Sequence, residues 1–123
     1  MNMLLFYRMH NLLGGINMAE RVLIDKLENL ESKHGVEINV NAFLEYNDYS
    51  ENFEARIIGE VFGEIDYDLK IIISAYNNIG EIIGTGYTFI DEDNFEGIQP
   101  FSETIDAPKG EVISKLRIYP QKS

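Results

Sequence analysis

The hydrophobic period of the chain changes once, at Gly35. Ahead of it, Leu23, Leu27, Leu30 and His34 recur at i, i+4, i+7 and i+11, with Ile24 on the flank. That spacing lines apolar side chains along one stripe and predicts a helix over 19–34, within a unit of residues 18–35. Asn17 followed by Glu20 fits a capping-box variant at its start, and Gly35 fits the left-handed position just past its end. His34 is then a helix-terminal residue, expected to meet exposed carbonyls rather than to act as a ligand or base.

Behind Gly35 the period is two. Val36, Ile38, Val40, Ala42, Leu44 and Tyr46 alternate with Glu37, Asn39, Asn41, Phe43 and Glu45, which predicts a half-buried strand. A turn at 47–52 leads to a second strand, Phe53 to Phe62, with Phe53, Ala55, Ile57 and Val61 on one face. Leu69 to Asn77 is the third, with Leu69, Ile71, Ile73 and Ala75 inward, and Asn77-Asn78-Ile79-Gly80 is a hairpin signal into the fourth, Glu81 to Ile90. The fifth lies near Ile98 to Ala107. After Pro108-Lys109-Gly110 the last runs from Glu111 to Tyr119, with Val112, Leu116 and Ile118 inward. Lys115 and Arg117 then point outward, a placement suited to a guarded sheet edge. Gly84-Thr85-Gly86, inside a strand pattern, reads as a bulge or a close backbone approach. Short strands separated by turns, with one leading helix, predict a mainly β protein. The expected fold is an antiparallel sandwich of about six or seven strands over 36–120, preceded by one N-terminal α-helix.

Charge sharpens this division. The 123 residues carry 10 lysines and arginines against 21 aspartates and glutamates, a net charge of -11. Up to Gly35 the two signs balance, so the whole excess of acid belongs to the β-rich part, and no basic residue lies between Lys70 and Lys109. Such a balance repels phosphate backbones and anionic bilayers, so neither nucleic acid nor membrane is an expected partner. With no cysteine, disulfides, thiolate metal sites and thiol catalysis are absent. The apolar run Met3-Leu4-Leu5-Phe6-Tyr7 is broken by Arg8 and His10, with no basic region before it and no small-x-small site after it. It therefore resembles neither a signal peptide nor a membrane span, and a cytoplasmic location is expected. Met18-Ala19-Glu20 reads as a fresh start, so residues 1–17 are expected to be an upstream extension that is not native to the protein or, if native, a segment that docks its leucines on the domain or on a second copy, or a short helix.

The stretch from Val36 to Pro120 resembles the bacterial immunoglobulin-like sandwiches of the FxLYD type. Gly59-Glu60-Val61 answers that family's Gly-x-Val strand, and Ile73-Ser74-Ala75-Tyr76-Asn77 its apolar strand ending in Tyr-Asp. Gly80 with Ile83 answers its Gly turn and following strand, and Pro100-Phe101 its Pro and Phe-bearing strand. Only Tyr76 is identical within the Tyr-Asp motif, and the family's Asn after the Gly-x-Val strand is missing. The resemblance implies an immunoglobulin-like fold and an accessory or interaction module rather than an enzyme.

No nucleophile elbow, phosphate loop, dinucleotide fingerprint or metalloprotease helix occurs. No catalytic, cofactor-binding or metal-ligating residue is assigned, and no cofactor is expected. Two features stand above this background. Asp66-Tyr67-Asp68 and Asp91-Glu92-Asp93 lie in loops that an up-and-down strand order brings to one end, where Asp66, Asp68, Asp91 and Asp93 could converge on a calcium ion; solvated acidic loops are the plainer reading. Phe43, Ile58, Phe62, Ile72, Tyr76 and Tyr119 fall on faces opposite the main apolar register, to be covered by the helix or by a partner. The expectation is a non-enzymatic interaction module with a protein partner or a second copy of the chain. The alternatives are an acidic mimic of nucleic acid that occupies a basic groove, and a calcium-dependent sandwich.

Overall fold

The computed structural model of the chain describes residues 20–123. The expected extension over 1–17 lies outside the described residues, as do the cap at Asn17 and the fresh start at Met18. Within them are two four-stranded sheets. The first has the order β1 (Glu20–Arg21), β3 (Val36–Asn47), β4 (Asn52–Gly63) and β7 (Ile98–Asp106); all its pairs are antiparallel. The second has the order β2 (Leu23–Lys26), β8 (Lys115–Lys122), β5 (Leu69–Tyr76) and β6 (Ile82–Ile90). The protein is mainly β, and the first five strands expected after Gly35 fall close to where the alternation places them. The chain's last two strands lie in different sheets.

The helix is where expectation and structure part. Among the described residues only Glu28–His34 is helical (α1), with Gly35 left-handed at φ 73° just past its end. Residues 20–26, expected to be its first half, form β1 and β2 instead, so Leu23 is 68% exposed on a strand rather than set in a helical stripe. The segment Arg21-Val22-Leu23-Ile24-Asp25 has β-branched residues at alternate sites, and two sheet edges offer hydrogen bonds that a helix could not use. β1 pairs with β3, Val22 donates its N–H to the Ala42 carbonyl at 3.0 Å, and β2 then pairs with β8 in parallel. What remains for the helix is seven residues, held by packing on β3 and β8 rather than by its own propensity.

A second correction follows from the first. Because β2 takes the outer side of β8, the last strand is interior to its sheet, and Lys115 and Arg117 do not guard an edge. That strand also begins at Lys115, not Glu111: Ile113 is buried ahead of it, Val112 is only half-buried, and the Ser114 N–H goes to the Tyr76 carbonyl at 2.8 Å. The sheets face each other through Ile38, Leu44, Ile57 and Val61 on one side and Leu69, Ile71, Ile73, Ile90, Leu116 and Ile118 on the other, all fully buried. Close packing at two glycines shapes this core. A Cβ at Gly59 would lie 2.9 Å from the Phe101 ring, its cross-strand neighbour, and one at Gly84 would lie 2.7 Å from Ile105 of β7. The expected irregularity near Gly84 is present: Ala75 pairs with Gly84 but Tyr76 pairs with Ile82, leaving Ile83 bulged.

Over residues 36–41, no strand among the described residues pairs with β3 on the side that β1 occupies farther along. Side chains take the missing partner's place. Glu31 of α1 accepts the Ile38 N–H at 2.7 Å through Oε1, and Lys26 Nζ donates to the Ile38 carbonyl at 2.7 Å. The two side chains stand 3.7 Å apart, and Glu31 is buried. Glu31→Ala, which strands a buried amide, is expected to cost about 1–3 kcal/mol in urea denaturation. Glu31→Gln keeps an acceptor and should cost less; equal losses would show that the edge clamp contributes nothing.

Candidate functional site

The outer face of the β2-β8-β5-β6 sheet has a composition unlike the rest of the molecule. Strand register places its outward residues in four rows. They are Leu23–Lys115–Tyr76–Ile82, then Asp25–Arg117–Ser74–Thr85, then Tyr119–Ile72–Tyr87, then Gln121–Lys70–Phe89. Aromatic and aliphatic side chains therefore run the length of the face with three cations among them, in a chain of net charge -11. Asp25 is the one carboxylate in these rows.

Each cation leans on a ring. Lys70 Nζ lies 4.7 Å from the Tyr87 centroid, Lys115 Nζ lies 4.9 Å from that of Tyr76, and Arg117 Cζ lies 5.2 Å from the same ring. Arg117 Nε also donates to Asp25 Oδ2 at 2.9 Å and Nη1 to the Tyr76 hydroxyl at 3.3 Å. The bond to Asp25 above all raises the guanidinium pKa further above its ordinary value. Arg117 is thus half neutralised within the face, whereas Lys70 and Lys115 have rings but no carboxylate at salt-bridge distance. Leu23, Ile82, Tyr87 and Phe89 remain between 46% and 68% exposed, so among the described residues this is an open surface rather than a core.

The opposite outer face carries the other sign. Glu45, Glu54 and Asp106 are cross-strand neighbours in one row, and Glu37 and Glu60 lie in others. Arg56 bridges to Glu45 at 3.1 Å, and Asn47 Nδ2 donates to Glu54 at 2.9 Å. The six outward apolar residues named from sequence divide between the two faces: Phe43, Ile58 and Phe62 on this one, Ile72, Tyr76 and Tyr119 on the cationic one. Helix α1, expected to cover some of them, packs on β3 and β8 and leaves Ile58 46% exposed.

The acidic loops converge as the strand order predicts, since the Glu92 N–H donates to Asp68 Oδ1 at 2.9 Å. The carboxylates of Asp68 and Asp91 serve the backbone, however. Asp91 Oδ1 accepts the Asp93 N–H at 3.0 Å and Oδ2 accepts from the Asn94 side chain. Among the described residues no three His, Asp or Glu side chains are grouped so as to hold a metal ion. A recess of about 320 Å³ beside α1 is lined by Lys26, Glu28, Glu31, Ser32, Val36 and Glu37, but Lys26 and Glu31 are already engaged with Ile38. His34 meets the Tyr67 hydroxyl at 2.6 Å rather than helix carbonyls; burial, then Lys33 and Lys122, lower its pKa. Among the described residues no helix is long and apolar enough to cross a membrane. Compared with protein-family models, curated proteins and solved structures, the chain matches none.

The cationic face was hidden from sequence reasoning because its rows are assembled across strands far apart in the chain. The available signal was the outward alternation of Lys70, Ile72, Ser74 and Tyr76 alongside that of Lys115, Arg117 and Tyr119.

At the acidic end, Glu92 has a pKa above the ordinary value of 4.5. A hydrogen bond to Asp93 raises it most, followed by burial and the charges of Asp93, Asp68 and Asp66. A carboxyl raised in the folded state favours folding while protonated, and that advantage is lost as pH rises through its folded pKa. Glu92→Gln should therefore raise the melting temperature at pH 7, with the gain disappearing below the ordinary glutamate pKa. A melting temperature unchanged at pH 7 would rule out mutual repulsion in this loop.

Proposed function

We propose that the chain is a non-enzymatic protein-interaction module whose contact surface is the outer face of the β2-β8-β5-β6 sheet. The observation that carries this reading is the gathering of Lys70, Lys115, Arg117, Tyr76, Tyr87 and Ile72 on one open face of an otherwise acidic molecule. Partly exposed tyrosines held by cations give a rigid surface with large apolar area and little side-chain entropy left to lose, which suits protein recognition.

An immunoglobulin-like description draws support from the leading strand, which divides between the two sheets, and from the Gly59–Phe101 packing, whose residues carry the FxLYD resemblance. Immunoglobulin domains, by contrast, place their last two strands side by side in one sheet, and here β7 and β8 lie in different sheets. The nucleic-acid-mimic alternative draws on the Glu45–Glu54–Asp106 row, where Arg56 and Asn47 already occupy two of the three carboxylates. A calcium-dependent role draws on the loop aspartates, of which Asp68 and Asp91 already accept backbone amides.

A photo-reactive phenylalanine analogue replacing Tyr87, used in the producing cell, is expected to cross-link to a protein. The same group replacing Ile58 on the acidic face should not, and Ile72→Asp should abolish the product from position 87 without unfolding the domain. Equal products from both faces, or none from position 87, would overturn the reading.

A further inference from the structure

The cations of the proposed contact face are spaced for one kind of chain. Along β5, Lys70 and Tyr76 are six residues apart, and Lys115 lies directly across from Tyr76. At about 3.3 Å per residue, the two lysine rows are separated by about 20 Å along the strands. Between them stand the apolar row Tyr119–Ile72–Tyr87, two residues from Lys70, and the Arg117 row, half neutralised by Asp25. An extended polypeptide lying along β5 presents every second side chain to this face, at the same rise per residue as the strand beneath it. Carboxylates six residues apart would meet Lys70 and Lys115 together, and a large apolar side chain two residues inside one of them would meet Ile72 and Tyr87.

The ends of the face exclude a longer polyanion. At the Lys70 end β6 runs into Asp91-Glu92-Asp93, which is tied to Asp68. At the Lys115 end Glu81 and Glu111 both accept from Asn77 Nδ2. A continuous line of phosphates would have to cross one of these acidic ends, whereas a short segment with two carboxylates stays between them. We propose that this face binds an extended acidic segment of another protein, with carboxylates six residues apart and a large apolar residue two positions from one of them. The proposal rests on the interaction reading above and specifies its partner.

The test uses the full-length chain and fluorescently labelled probes followed by anisotropy. One peptide carries glutamates six residues apart with leucine two residues inside, on a Ser/Thr background. A second has the same composition with glutamates five apart, which puts one carboxylate on the wrong side of an extended chain. A third replaces glutamate by lysine, and a fourth probe is an oligothymidylate. The six-apart peptide is expected to bind about tenfold more tightly than the others, and to lose about tenfold on raising salt to about 0.3 M. Lys70→Gln with Lys115→Gln should remove a similar factor while leaving the melting temperature unchanged. Equal binding of the two acidic peptides, stronger binding of the oligothymidylate, or indifference to the double substitution would overturn the proposal. A cross-link from position 87 to a basic protein or to a second copy would overturn it while leaving the interaction reading standing. Absence of any cross-link from position 87 would remove both.

Discussion

The whole arrangement turns on the chain changing sheets at Val22. Its N–H is donated to Ala42 of one sheet, its side chain is buried, and the residues on either side pair with different sheets. A short strand that shifts allegiance in this way closes one side of a sandwich without a long connection. It also sets the position of everything downstream. Once β2 lies along β8, the last strand is interior, and its outward lysine and arginine stand in the middle of a face. Without β2 they would be edge guards, as their sequence suggests. With it they become part of a two-dimensional array of rings and charges, one member of which, Arg117, is balanced by Asp25 from the same short strand.

The helix completes that closure in an economical way. Seven residues are too few to hold a helix in water, so α1 persists because β3 and β8 offer it a seat. In return it supplies Glu31, which with Lys26 covers the Ile38 amide and carbonyl where none of the described strands runs. A bare β-edge is an invitation to pair with another chain. Here part of that edge is blocked by two side chains rather than by a proline or a bulge.

Much of the fold was legible in the sequence because the β-rich part alternates cleanly. Inward sites such as Ile38, Ala55, Ile57, Ile71 and Ile73 are buried, and the 77–80 turn and the Ile83 bulge sit where asparagine and glycine signal them. The failure lies in 20–26, where Leu23, at helical spacing from Leu27 and Leu30, falls within a strand-compatible alternation; seven residues cannot decide between the two periods, and the open edges of β3 and β8 did so. The candidate site was legible only in fragments. Ile72, Tyr76 and Tyr119 could be named as outward, but register alone shows that they share a face with Lys70 and Lys115, while Phe43, Ile58 and Phe62 belong to the opposite one. The convergence of the acidic loops was foreseeable from strand order. The engagement of Asp68 and Asp91 with backbone amides was not, because it depends on local turn geometry.

The insertion of β8 between β2 and β5 carries a consequence for how the domain is made. Asp25 and Arg117, bonded in the finished sheet, are 92 residues apart in the chain. Until residues 115–122 are synthesised, β2 and the β5–β6 hairpin are two unconnected pieces with a gap between them. The β3–β4 hairpin, by contrast, is joined by a tight turn and can form as soon as it emerges. The β3–β4 part of the acidic face, with Glu45 and Glu54, therefore belongs to an early, locally closed unit that Asp106 of β7 joins later. The cationic face comes into being only when the final strand slides home and long-range loop closure has been met.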